Sequence, residues 1–104
     1  MSMKQIQRLR PGPPTLLTIG TVLTTSIALS WTAASFAGGS AITGYNVYYR
    51  ITGSGSLWTL FGNTAGTSST VTGLTTGTNY DFIVNAVNSY GESVPCNIAT
   101  QKTN

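Results

Sequence analysis

The sequence predicts an all-β protein, an antiparallel β-sandwich of two packed sheets, and three observations support this prediction. Apolar and polar residues alternate over short segments, as in Ile27, Leu29 and Trp31, which share one face of a strand. Turns rich in glycine, threonine and serine separate such segments at intervals of about 8–12 residues. Charged residues make up 7% of the chain and hydrophobic residues 40%, which favours a folded domain over a disordered one. The 104 residues suffice for one domain with its own core.

The first three strands are predicted from what precedes them and from their alternation. Residues 11–14 include three prolines, which favour an extended chain that leads directly into the first strand. The second strand carries the alternation described above. The third places Tyr45 and Val47 on one face and Tyr48 on the other.

The four later strands are bounded by turn signals. A glycine turn over 53–55 precedes the fourth strand, and a polar loop over 63–68 precedes the fifth. The sixth strand places Tyr80 and Phe82 on one face. Pro95 assigns the seventh strand to a sheet edge, because proline has no backbone N–H to donate to a ladder. The predicted bounds of the seven strands in chain order are 15–20, 26–33, 42–52, 57–62, 69–74, 79–88 and 93–101.

Large apolar side chains identify the core. Trp31 and Tyr45 are too large for any place but the centre of a thin sandwich, where the burial of each contributes about 2–3 kcal/mol. Tyr80 follows a turn after Leu74, so its hydroxyl is expected to bond back to the backbone between the fifth and sixth strands. The predicted core residues are Trp31, Tyr45, Leu74, Tyr80 and Phe82.

The residue inventory argues against an enzyme. The chain has no histidine, one cysteine and two acidic residues, Asp81 and Glu92. Acid–base and nucleophilic catalysis need a titratable base beside the reacting group, and most glycoside hydrolysis needs two carboxylates flanking one bond. A zinc site needs about four nitrogen, sulfur or oxygen ligands. We therefore predict no catalytic residues, no metal and no cofactor.

The single cysteine, Cys96, excludes a disulfide within the chain. No basic residue stands near it in the sequence to lower the pKa of its thiol. Cys96 is therefore interpreted as a small, half-buried apolar residue rather than as a reactive thiol.

Positive charge is concentrated at the N-terminus. The formal net charge of +3 comes from Lys4, Arg8 and Arg10, because the basic and acidic residues of the remaining chain cancel. The body therefore lacks the basic face with interleaved aromatic residues that nucleic-acid binding requires. We predict no direct binding of nucleic acid by the sandwich.

The first ten residues are interpreted either as a solvated tail or as an arm that docks on an acidic partner. Ile6 and Leu9 supply apolar anchors between the charges. The predicted organisation is a basic docking arm over 1–10, a stiff proline-rich spacer over 11–14 and the folded domain over 15–104. The residues predicted to dock are Lys4, Ile6, Arg8, Leu9 and Arg10.

No targeting segment is evident in the sequence. The basic residues at the N-terminus are not followed by the apolar run of about 7–15 residues that marks a secretory signal. No segment approaches the roughly 20 apolar residues of a membrane span. The chain is therefore expected to be made in a cytoplasm and to carry no membrane span.

A small group of apolar residues is predicted on the outer side of the third and sixth strands. Tyr48, Ile83 and Val87 would form a stripe there, and Tyr90 stands at the tip of the turn before the seventh strand. Such residues are interpreted either as ordinary scattered surface residues or as a partner-binding footprint.

The order of these motifs resembles a fibronectin type III domain over about residues 13–102 of the chain. The tryptophan lies on the second strand with no cysteine pair around it, whereas an antibody-type domain places it on the third strand against a disulfide. The matching segments are the prolines at 13 and 14 and residues 27–31, 39–50, 74–80, 86–88 and 91–93. The family's Arg-Gly-Asp tripeptide is absent.

The resemblance implies an immunoglobulin-like, seven-stranded sandwich in a non-enzymatic structural or binding protein. A lone domain with no export signal and a low-charge, threonine-rich surface favours a virion accessory protein. Such a protein would decorate a bacteriophage capsid or tail in many copies, with other virion proteins as partners and the virion surface as its location.

Two alternatives stay open. The first is a spacer or binding module from a larger secreted bacterial enzyme or adhesin, which would place the chain outside the cell. The second is a domain that binds host-surface glycans, with aromatic residues that stack on sugar rings. The candidate stacking residues are Tyr48, Trp58 and Tyr90.

Overall fold

The protein is seen in a computed structural model that describes residues 9–55 and 57–104. Those residues form eight strands and no helix. The strands are β1 (Thr15–Val22), β2 (Ile27–Thr32), β3 (Gly44–Ile51), β4 (Thr59–Thr64), β5 (Ser68–Val71), β6 (Asn79–Asn88), β7 (Gly91–Glu92) and β8 (Ala99–Lys102). The all-β prediction is confirmed, and the bounds of the first six strands differ from the predicted ones by a few residues at most.

The strands form two antiparallel sheets that pack face to face. The smaller sheet has the order β1-β2-β5, and the larger has the order β4-β3-β6-β7, with β8 also paired to β6. β3 and β6 pair along their whole length, from Gly44 opposite Val87 to Ile51 opposite Tyr80. The predicted immunoglobulin-like sandwich is confirmed, with β4 at one edge of the larger sheet.

The core lies between the sheets and contains every residue predicted for it. The ring centroids of Trp31 and Tyr45 lie 5.7 Å apart in an edge-to-face contact. The hydroxyl of Tyr80 accepts a hydrogen bond from the Thr75 amide at 2.8 Å, as predicted for the turn before β6. The predicted residues, all buried, are Trp31, Tyr45, Leu74, Tyr80 and Phe82.

The predicted seventh strand is interrupted over residues 93–98 around Pro95, although the Ser93 and Cys96 amides still donate to the carbonyls of Ala86 and Val84. Two side chains replace the missing backbone acceptors there. The Ala86 amide donates to Ser93 Oγ at 2.9 Å, and the Val84 amide donates to Cys96 Sγ at 3.3 Å. The prediction of one continuous strand is therefore wrong, because proline has no N–H to extend the ladder. The two side chains accept the hydrogen bonds that a continuous strand would have accepted from the β6 amides.

The proline-rich segment is part of the sandwich rather than a separate spacer. Pro11 and Pro14 are buried, and the Gly12 amide donates to the Phe36 carbonyl in the β2–β3 loop at 2.9 Å. A segment packed into the domain in this way cannot act as a separate spacer between the domain and a surface. The structure therefore differs from the independent stiff spacer expected over 11–14, because Pro11 and Pro14 are buried in the domain.

Asn88, at the end of β6, holds the incoming chain against two loops. Its side-chain nitrogen donates to the Leu9 carbonyl at 3.0 Å and the Ala37 carbonyl at 2.9 Å, and its side-chain oxygen accepts from the Tyr90 amide at 2.8 Å. Gly38, with φ of +81°, passes so close that a Cβ atom would lie 2.5 Å from the Leu9 carbonyl oxygen. The chain therefore enters the domain at a fixed point beside the β6–β7 turn.

The C-terminus is held at the opposite end of the sandwich. The Asn104 amide donates to the Leu23 carbonyl at 3.1 Å, and the Gly77 amide donates to the Asn104 carbonyl at 3.3 Å. The Asn104 side chain also donates to the Val22 carbonyl at 2.8 Å. Because β6 runs from this end to the other, the two held points lie about 30 Å apart, the length of the nine extended steps from Asn79 to Asn88.

Candidate functional site

Exposed apolar residues on the larger sheet lie along its β4 edge. Val47 stands opposite Gly62 and Tyr48 opposite Leu60, so Phe61 is an extra residue without a partner on β3. Such a bulge bends an edge strand and re-aims its side chains. Leu60 and Phe61 are 53% and 37% exposed, and neither packs against the core.

A neighbouring aromatic residue extends this surface. Trp58 precedes β4, and the Arg50 guanidinium lies 4.1 Å from the centroid of its ring, a cation–π contact that fixes the indole. Tyr48 stands opposite Leu60 on the adjacent strand, but its hydroxyl donates to Glu92 on β7, away from β4. We call these three residues the edge patch: Trp58, Leu60 and Phe61.

A hydrogen-bonded pair of amides borders the edge patch. Asn46 and Asn63 stand opposite each other on β3 and β4, and Asn63 Nδ2 donates to Asn46 Oδ1 at 2.9 Å. This bond uses one donor of Asn63 and one acceptor site of Asn46, and Asn46 also donates to Glu92. The remaining hydrogen-bonding capacity of the pair lies chiefly on Asn63.

Tyr48 reaches across the sheet to Glu92. Its hydroxyl donates to Glu92 Oε1 at 2.6 Å, and Asn85 Nδ2 donates to the same oxygen at 3.2 Å. Burial and the nearby carboxylate raise the pKa of Tyr48. Burial by itself would raise the pKa of Glu92, but hydrogen bonds from Tyr48, Asn46 and Asn85 outweigh it and lower that pKa. This carboxylate is committed to holding the outer face together.

Ile83 does not form the exposed stripe that the sequence predicts. It lies on the outer side of β6 opposite Tyr48, yet it is only 4% exposed. β6 lies between the strands of Tyr48 and Glu92, so the tyrosine must lean across β6 to reach the carboxylate. Ile83 is covered and cannot contact a partner, and Val87 is half-buried.

The second carboxylate, Asp81, is also fully engaged. Its Oδ2 accepts from Arg50 Nε at 3.2 Å, and its Oδ1 accepts from the hydroxyls of Thr52 at 2.7 Å and Thr100 at 2.8 Å. Burial favours a higher pKa for Asp81, but these hydrogen bonds and the Arg50 charge lower it. The pair Arg50–Asp81 leaves no net charge at this point of the outer face.

Tyr90 and the described part of the arm lie at the other end of β6, away from the edge patch. Tyr90 is 45% exposed on the β6–β7 turn, and Leu9 is 40% exposed beside it. Arg10 Nε lies 3.0 Å from the position of a Cβ atom added at Gly91, so this arginine also packs at the turn. The remaining predicted docking residues, Lys4, Ile6 and Arg8, lie outside the described residues.

The geometry offers no arrangement for hydrolysis by the two carboxylates. Asp81 lies near the start of β6, whereas Glu92 pairs with Val87 near its end. Six residues of extended strand separate these positions by about 20 Å, far more than the roughly 5–10 Å at which a catalytic pair flanks a glycosidic bond. Burial raises the pKa of the Cys96 thiol, which disfavours the reactive thiolate.

Three other kinds of site are absent from residues 9–55 and 57–104. Those residues form no pocket and no group of three His, Cys, Asp or Glu side chains that could hold a metal ion. None of them belongs to a helix long and apolar enough to cross a membrane. The edge patch is a candidate surface for binding on the larger sheet.

Sequence reasoning named one member of the edge patch, Trp58, but missed Leu60 and Phe61. Strict alternation would place one of two adjacent residues inside. Two adjacent apolar residues in a short edge strand were the available signal for a bulge. The role of Asn88 was also missed, because a polar residue at a strand end gives no sign of burial.

Comparison with known proteins identifies relatives for most of the chain. The family model described as "Fibronectin type III domain" matches residues 12–102. Exoglucanase A of Cellulomonas fimi is 44% identical over 81 residues, which are 78% of this chain and 8% of that protein. Chitinase D of Niallia circulans is 42% identical over 75 residues, which are 72% of this chain and 13% of that protein.

A solved structure shows the same architecture. The crystal structure of domains A168–A170 of titin matches with a TM-score of 0.86 and 34% identity, covering 90% of this chain and 32% of that one. The chain thus spans only a small part of the larger proteins that it matches. The chain belongs to the fibronectin type III family, a non-catalytic module fold.

Proposed function

We propose that this chain is a non-catalytic spacer module of a larger, secreted polysaccharide-degrading enzyme. One observation carries the proposal: the incoming chain and the C-terminus are each held by hydrogen bonds at opposite ends of the sandwich. A domain built in this way transmits a fixed separation, about 30 Å, between whatever precedes and follows it.

The relatives support this role over a virion accessory protein. Exoglucanase A and Chitinase D carry a matching segment as a small fraction of their length. Neither name points to a capsid or a tail, so the expectation of a bacteriophage decoration protein has no support. The proposal implies that the module lies outside the cell, on the same chain as a catalytic domain.

The test measures whether the module holds its two ends at a fixed distance. Two folded reporter domains are fused directly before Leu9 and after Asn104, the two held points, and single-molecule energy transfer reports the distribution of their separation. A flexible Gly/Ser linker of equal length is the control, because such a chain gives a broad distribution that scales with the square root of its length. A narrow distribution supports the spacer role, and one as broad as that of the linker would contradict it.

A variant sharpens this test. Asn88→Ala removes the two hydrogen bonds that hold the carbonyls of Leu9 and Ala37, so the incoming chain should loosen. The distribution should broaden while the sandwich stays folded, as judged by its circular dichroism. An unchanged distribution would show that Asn88 does not fix the point of entry.

A further inference from the structure

We propose that the edge patch binds a neutral, β-linked polysaccharide chain. The module would then bind the substrate in addition to fixing the distance between its two neighbours. This inference rests on the proposed function for the class of substrate, and on the residues of the patch for the site. The matched segments of two relatives belong to proteins named for the degradation of such polymers.

The apolar members suit the faces of sugar rings. Pyranose rings present C–H groups on their faces, which pack on aromatic and aliphatic side chains that remain accessible. Leu60 and Phe61 are 53% and 37% exposed, and Trp58 is half-buried beside them. Arg50 already fixes the Trp58 ring. Such a pre-organised side chain loses less conformational entropy on binding.

The polar neighbours suit sugar hydroxyls. The amides of Asn46 and Asn63 adjoin the patch, and donor and acceptor capacity remains chiefly on Asn63. A few oriented polar groups beside an apolar surface are the usual composition of a site for an uncharged ligand. Hydroxyl groups can donate and accept at once, so they can use both sides of the Asn63 amide.

Charge at the outer face argues for an uncharged ligand. Asp81 is paired with Arg50, and Glu92 is enclosed by hydrogen bonds from Tyr48 and Asn85. β4 itself contains no charged residue. An acidic or basic partner would therefore find little opposite charge on this face, whereas a neutral glycan needs none.

The bulge argues against the main competing occupant, a strand from a second copy of the chain. Pairing of two β4 edges would need a regular row of backbone donors and acceptors. The extra residue Phe61 interrupts that row, and a bulge is one of the features that protect edges from such pairing. The same bulge adds exposed apolar surface, which serves a ligand that lies on side chains.

The test is depletion of the full chain from solution by insoluble polysaccharide, with microcrystalline cellulose and chitin as separate arms. We expect binding to at least one polymer and competition by the matching soluble oligosaccharide. Leu60→Ser with Phe61→Ser should weaken this binding about tenfold or more, equivalent to ~1.4 kcal/mol. The matched control is Ile98→Ser, because Ile98 is 56% exposed on the segment between β7 and β8.

The outcomes separate the alternatives. Binding that the double variant loses and the control keeps supports the proposal, and the polymer that binds identifies the glycan. Absence of depletion on both polymers overturns it, as does equal binding by the variant and the wild type. Self-association that disappears in the double variant, without polymer binding, assigns the patch to a protein contact instead. None of these results affects the distance measurement that tests the spacer role.

Discussion

The two faces of the larger sheet are built on different principles. On the inner face, Tyr45, Val47 and Phe82 are each at most 4% exposed, and every second residue of their strands contributes to one core. On the outer face, Tyr48 and Arg50 are placed by partners on other strands. Apolar burial is not directional, so the alternation of apolar residues suffices to build the inner face. The hydrogen bonds of the outer face depend also on which strands are neighbours.

The largest effect is expected from a cavity on the inner face. Phe82 is fully buried, so Phe82→Ala should lower the free energy of unfolding by about 3–5 kcal/mol. Leu60→Ala, on the outer edge, should change it by about 0.5 kcal/mol or less. Denaturant unfolding of both variants measures the difference. Similar losses for the two variants would show that the faces are not distinct.

A smaller loss of stability is expected when the Asp81 carboxylate, which accepts from three donors on the outer face, is removed. Asp81→Ala leaves Arg50, Thr52 and Thr100 without their acceptor, which should cost about 1–3 kcal/mol. Arg50→Met removes only one of those donors and should cost less. A loss from Arg50→Met that equals the loss from Asp81→Ala would mean that the threonine hydroxyls contribute nothing.

Ser93, whose side chain replaces a backbone acceptor of the ladder, should contribute somewhat less to the free energy of unfolding. Ser93→Ala leaves the buried Ala86 amide without its acceptor, with an expected loss of about 1–2 kcal/mol. Ser89→Ala, at an exposed hydrogen bond between two serines, is the matched control and should be nearly neutral. Hydrogen exchange at the Ala86 amide should accelerate in the first variant alone, and unchanged protection there would contradict the assignment.

The smallest effect concerns pH. The pKa values of Asp81 and Glu92 are lowered in the folded state, so their contribution is present above the unfolded values of about 3.9–4.3. It is lost as the pH falls below that range through the folded values. Because the chain has no histidine, the denaturation midpoint should be flat from about pH 5 to 8. Asp81→Asn should reduce the acid-induced loss, and an unchanged acid dependence would exclude Asp81 as its source.

The seventh strand marks the limit of what could be predicted from local pattern. Pro95 correctly indicated an edge, since the missing N–H is a property of the residue alone. The break over 93–98 and the acceptor roles of Ser93 and Cys96 could not be predicted. They depend on how far the chain stands from β6, which no property of the segment itself determines.

The candidate site divides in the same way. Trp58 could be named from its residue type, but Ile83 was assigned to the surface by alternation alone. Only the contact between Tyr48 and Glu92, residues on strands separated by β6, reveals that Ile83 is covered. The bulge at Phe61 likewise emerges from the register between two strands, which adjacent apolar residues suggest without specifying.

The sequence by itself determined the all-β class, the core and the Tyr80 hydrogen bond, because these follow from period-two burial and from one short turn. The tertiary structure alone decided the edge patch, the covering of Ile83 and the hydrogen bonds that hold Leu9 and Asn104. Asn88 and Leu9 are 79 residues apart in the chain, and their contact exists only once the sandwich has closed. Local composition determines which face a residue prefers, whereas assembly of the strands determines which partners it meets there.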